Sequence, residues 1–313
     1  MKATKFIRIL GVLTIFLAVS WHIGSAEVFF TETFDDSSFS ARGWFDNPKG
    51  VIDNSVKYAG TGSIRFAWTQ GSQGGFGTLR KDFVPTDSLY ISFYWRFSSN
   101  WVGSGQGYHP HIIYILSDLD DHWAGLAYNY LDTYIETDNV TPRLIIQDGI
   151  NVNLSYGSVP NNLTTITEYR DVSGCNGCLS GSDCGDFASC YNVGDNMWWN
   201  GRFWNGSSNF VRNKWNKIEV YFKMNSIAGG RALADGIMWM KVDGNYVINN
   251  SKVVYRTNNR SMLKWRTLVI APYMGDGSPQ AQTMWMDELT VADNVPGEQQ
   301  PPSPPTDLRV IDP

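Results

Sequence analysis

The segment WNKIEVYFKMNSIAGGRALADGIMWMKVDGNYVINN, residues 215–250, decides the fold. Ile218, Val220, Phe222 and Met224 alternate with Lys217, Glu219, Tyr221 and Lys223. Successive strand side chains point to opposite faces, so this run has one apolar face and one carrying charge and phenol. A second run alternates Met238, Met240 and Val242 with Ile237, Trp239 and Lys241, and Asp243-Gly244 then turns the chain into Tyr246 to Ile248. The pattern predicts an antiparallel meander whose inner face packs on another sheet and whose outer face contacts a ligand.

Upstream, LYISFYWRF (89–97) sets Leu89, Ile91, Phe93, Trp95 and Phe97 on one face, with Tyr90, Ser92, Tyr94 and Arg96 on the other. Strands are also expected at Val28–Phe34, near Val51, after Gly60-Thr61-Gly62-Ser63, over Ile112–Leu116, Trp123–Leu131, Arg143–Gln147, Lys252–Arg256, Leu263–Tyr273 and Thr283–Val291. The glycines of 71–77 read as a turn: no P-loop Lys-Ser/Thr follows them.

Lys2, Lys5 and Arg8, the apolar run Ile9–Val19 and Gly24-Ser25-Ala26 form a secretory leader over residues 1–26. The apolar run is short for a membrane span, so a secreted protein, extracellular or periplasmic, is expected. Loss of the leader takes the net charge from −5 to about −8, which argues against nucleic acid and anionic membranes as partners. Residues 27–294 are expected to form one β-sandwich, with an insertion at about 156–213 where periodicity disappears, and 295–313 a Pro-rich tail. The insertion holds Trp198, Trp199 and Trp204, candidate platforms for sugar rings. It also holds Cys175, Cys178, Cys184 and Cys190, spaced as two disulfides with three possible pairings; zinc is the weaker reading without a second C-x2-C or a nearby His.

Phe-x-Glu-x-Phe at 30–34, Gly-x-x-Ser-Ile-Arg-Phe at 60–66, the Trp215–Asn225 strand, Asp235-Gly236 with Val242-Asp243-Gly244, and Trp-x-Asp-Glu at 285–288 follow one another along the chain. Together these motifs resemble the concanavalin A-like jelly roll, nearest to secreted polysaccharide-lyase-like domains. The resemblance implies an all-β, two-sheet antiparallel jelly-roll sandwich and a structural calcium joining first and last strands through Glu32 and Asp287. Retaining glucanases of this fold carry Glu-x-Asp-x-Glu on one strand; Glu136-Thr137-Asp138-Asn139-Val140 lacks the third acid, which disfavours that chemistry.

Elimination from a uronate polymer needs a group that neutralises the carboxylate, a base for the adjacent proton and an acid for the leaving oxygen. Arg96, Gln147 or Lys223 are candidates for the first task, and His111, His109 or Tyr221 for proton transfer; two of the chain's four histidines stand together in His109-Pro110-His111. Tyr94, Glu219 and Trp239 share the expected substrate face. The expected function is a monomeric polysaccharide lyase on an acidic polymer; the alternative is a non-catalytic glycan-binding module or adhesin on the same fold, stacking sugars on Trp198, Trp199, Trp204 and Trp239.

Overall fold

Alternation in the sequence becomes alternation of burial wherever two layers must share a core. The computed structural model describes residues 26–107, 109–118, 122–123, 131–147 and 203–297. Sheet A runs in the order β15 (Asn245–Val253), β14 (Gly236–Val242), β11 (Trp215–Lys223), β6 (Ser88–Phe97), β17 (Gln282–Ala292), β4 (Ser63–Trp68) and β3 (Val51–Asp53), with β1 (Val28–Glu32) also paired to β17. Sheet B runs β10 (Phe203–Asn205), β9 (Thr141–Gln147), β8 (Asp132–Asp138), β7 (His111–Ser117), β16 (Trp265–Tyr273), β5 (Thr78–Thr86) and β2 (Phe45–Asn47). A small ribbon pairs β12 (Ile227–Ala228) with β13 (Arg231–Ala232). All these ladders are antiparallel, and no α-helix occurs among the described residues.

The core lies between the two sheets. β6 contributes Phe93, Trp95 and Phe97, and β11 contributes Ile218, Val220 and Phe222; Ile113, Ile115, Ile135, Leu144, Leu268 and Ile270 meet them from sheet B. Each such side chain leaves water almost completely, which stabilises the fold by roughly 1.5–3 kcal/mol. The meander closes as its sequence predicts. Val242 pairs with Asn245 across Asp243-Gly244, whose φ angles of 49° and 80° are the left-handed pair of a two-residue type I′ hairpin.

Three expectations need correction. β5 and β8 form where none was read, because Lys81 interrupts the apolar alternation of one and Thr133 and Thr137 fill inward positions of the other. Trp123 lies in a turn rather than at the head of a strand, and most of the remainder of that expected strand falls outside the described residues. The end of the expected insertion rejoins the sandwich: β10 pairs with β9, and Phe210 is buried in the core. The leader, the four cysteines, Trp198, Trp199 and most of the Pro-rich tail lie outside the described residues.

Candidate functional site

The outer face of sheet B, opposite the core, carries an ordered set of polar and aromatic side chains. Across neighbouring strands the register runs Tyr273, His111, Glu136, Arg143 and Asn205. Beside it runs a second row of Phe45, Arg80, Val269, Tyr114, Tyr134 and Ile145. Strict alternation from Tyr114 would send His111 into the core. A bulge between His111 and Ile113 prevents this: Ile112 and Ile113 both join the core, and His111 turns onto the outer face. Its ring then lies 4.7 Å from Tyr134 and 6.1 Å from Tyr114.

Glu136 orients that imidazole. Its carboxylate is 0 % exposed and one oxygen contacts His111 Nδ1. A carboxylate accepts, so Nδ1 donates to it, and Nε2 is the ring nitrogen left for a substrate. The second carboxylate oxygen lies 3.6 Å from Arg143 Nη1. Arg143 is itself held by Asp138 at 3.0 Å, Asn205 at 2.8 Å and the Gly107 carbonyl at 2.8 Å. This lattice fixes Glu136, and Glu136 fixes His111.

The His109 ring meets His111 edge to face at 4.6 Å and lies 5.8 Å from Tyr273. Its Nδ1 lies 3.2 Å from the Gly275 nitrogen and 3.5 Å from Asp276 Oδ2. Burial, then the charge of His111, lower its pKa to about 4 against the opposing pull of Asp276. Tyr114 and Tyr134 are fully neutral phenols: burial first, then the charge of Asp132, push both well above the ordinary value. Arg80 is 3 % exposed; its Nε reaches Asp46 at 3.3 Å while its buried Nη1 has no hydrogen-bond partner. An unmet buried donor of this kind costs about 1–3 kcal/mol.

The remaining sequence candidates lie elsewhere. Tyr94, Arg96, Glu219, Tyr221, Lys223 and Trp239 occupy the outer face of sheet A, the opposite side of the sandwich from His109 and His111. There they mostly satisfy one another. Tyr94 stacks on Tyr58 at 3.5 Å, Arg96 donates to Asn213 at 2.7 Å, and Glu219 accepts from Tyr90 at 2.8 Å beside Lys217 at 3.2 Å. Tyr221 stacks on Trp239 at 5.5 Å and donates to Asn294 at 3.2 Å, while Lys223 is exposed. One trough does not hold both sets. Gln147 pairs in register with Asp132 on sheet B, and Trp204 packs against the core rather than presenting its ring as a platform.

The Glu32–Asp287 pair does not fit calcium. Glu32 accepts from the Phe34 N–H at 3.1 Å, Trp44 Nε1 at 2.7 Å and Arg42 Nε at 2.8 Å, so a guanidinium already balances it. Asp287 accepts the Tyr58, Ala59 and Glu288 N–H groups. These N–H and guanidinium donors already take lone pairs that a calcium ion would use.

Glu136, Tyr134, Tyr273 and Arg80 are the site residues that sequence reasoning missed. A signal existed in Asp132-Thr133-Tyr134-Ile135-Glu136, whose alternation places the acids and the phenol together.

The sequence matches no family model and no curated protein. Solved structures do resemble the fold. The crystal structure of an alginate lyase from Chlorella virus superposes with a TM-score of 0.53 at 13% identity, covering 85% of this chain and 100% of that one. A marine alginate lyase from Aplysia kurodai gives 0.50 at 10% identity, covering 85% and 99%. The architecture is the concanavalin A-like jelly roll.

Proposed function

We propose, from this jelly-roll premise, that the chain is a secreted polysaccharide lyase that cleaves a uronate-containing polymer by β-elimination on the outer face of sheet B. The observation that carries the reading is the buried Glu136 carboxylate on His111 Nδ1, which leaves Nε2 a base. Nε2 removes the proton from the carbon bearing the carboxylate, and those electrons form a double bond to the neighbouring ring carbon. The bond from that carbon to the glycosidic oxygen breaks, and a phenol, assigned to the partly exposed Tyr273, gives the leaving oxygen its proton. Water is not consumed. The guanidinium charge of the buried Arg80 is assigned to offset the charge added to the carboxylate in the transition state. Gln147 remains a further candidate for that contact by its place in the register.

A panel of uronate polymers, followed by the ultraviolet absorbance of the unsaturated product, tests the proposal. Product formation that disappears in His111→Ala while polymer binding persists supports it. The second reading, a non-catalytic glycan-binding module, draws on the exposed Tyr58 and Tyr246 of the sheet A face. Binding without any unsaturated product would select that reading.

A further inference from the structure

Past Arg80, the outer face of sheet B ends in a group of rings that the proposed chemistry leaves unused. Phe45 stands directly opposite Arg80 in the β2–β5 register. The His122 ring lies 5.0 Å from Phe45, tilted by 32°, and the Trp123 ring lies 4.9 Å from Phe45 at 77°. His122 and Trp123 are themselves 5.0 Å apart. Trp123 is 56 % exposed.

A single exposed tryptophan would need no explanation. This one belongs to a group that is held in place. His122 Nδ1 lies 3.3 Å from Asp82 Oδ2, and the other Asp82 oxygen accepts the Thr267 hydroxyl at 2.6 Å. Asp82 and Thr267 face each other across β5 and β16, so two adjacent strands of sheet B anchor the platform. Fixed aromatic surface beside a few polar groups is the composition of a ligand site. The faces of a pyranose ring are rich in C–H and its rim in hydroxyls, which matches an indole face bordered by imidazole and carboxylate.

Position identifies the occupant. β7 and β5 are separated by β16 alone, so the two strands stand about 10 Å apart at ordinary strand spacing, and Arg80 lies level with Tyr114 rather than with His111. The rings of β2 and its neighbouring turn lie one strand further on. That is too far for the sugar being cut and is continuous with the surface that holds it. We infer that Phe45, His122 and Trp123 form a stacking subsite for a flanking unit of the same acidic polysaccharide, reached only by chains long enough to extend past Arg80. The identity of the ligand rests on the proposed function; the existence of the subsite rests on the ring cluster and its anchoring.

The test uses the full chain carrying His111→Ala, so that ligand survives, titrated calorimetrically with oligouronates from two to six units. Adding Trp123→Ala is expected to weaken binding of the longest oligomers about tenfold, the loss of a well-packed aromatic contact, and to change the dimer less than twofold. Trp123→Phe is expected to recover most of that loss. Equal affinities at all lengths with and without Trp123, or equal losses for dimer and hexamer, would overturn the inference. So would a matching loss with neutral oligosaccharides, or self-association that Trp123→Ala abolishes without affecting oligouronate binding.

In the protein with His111 intact, the expected signature of Trp123→Ala is a raised KM for polymer at unchanged kcat. Length-dependent, Trp123-dependent binding with no unsaturated product leaves the subsite standing and removes the lyase reading. Product formation with KM indifferent to Trp123 does the reverse.

Discussion

His111 and Glu136 face each other across β7 and β8, and the wholly buried Glu136 carboxylate contacts Nδ1 of the imidazole. Glu136→Gln keeps the shape but offers Nδ1 an amide that can itself donate, so the base can adopt the wrong tautomer. On the proposed function, kcat should fall on the order of a hundredfold with KM nearly unchanged. Steady-state kinetics on a uronate polymer checks this. A variant within twofold of wild type would remove Glu136 from the mechanism.

Arg80→Met replaces a buried guanidinium that has one unused N–H by an uncharged side chain of similar length. Elimination from uronate polymer is expected to lose about two orders of magnitude in kcat/KM. Arg80→Lys restores charge without the planar fork and should recover only part. If Met and Lys variants behave alike, the charge of Arg80 has no role in the reaction.

The sheet A face supplies the opposite expectation. Tyr221→Phe and Lys223→Ala alter side chains on the far side of the sandwich from His111, so elimination should stay within about twofold of wild type, since separated sites act independently. A hundredfold loss in either would return the chemistry to sheet A.

Two groups give stability opposite responses to acid. His109 titrates near 4 in the fold against an ordinary 6.5, so the unfolded chain binds a proton that the folded one refuses, and stability falls as pH drops from about 6.5 to about 4. Burial raises Asp287 from 3.8 to about 6; its contribution is complete below 3.8 and is lost as pH rises through about 6. His109→Gln should flatten the acid loss, and Asp287→Asn should steepen it. Thermal melts at pH 4 to 7 decide both.

Much of the sandwich was legible because one-sided burial writes itself as alternation. Ile218, Val220 and Phe222 of one strand and Leu89, Ile91, Phe93, Trp95 and Phe97 of its partner point inward in the structure, and Asp243-Gly244 makes the turn its composition predicts. The site was legible only in its histidines. Alternation says which residues share a face of one strand, but not which sheet that strand joins. Tyr221 and His111 therefore read as neighbours although β11 and β7 lie in different layers. The His111 bulge hid the rest, since a one-residue irregularity reverses every facing downstream of it. Glu136 was visible as half of a glucanase motif, a role that its burial against an imidazole replaces.

Arg143 has a consequence for how this molecule can vary. Its hydrogen bond to Asn205 moors β10, the strand by which the long connection after β9 re-enters the sheet, to the guanidinium beside Glu136. A substitution at Asn205 therefore acts, through Arg143, on the carboxylate that holds the imidazole.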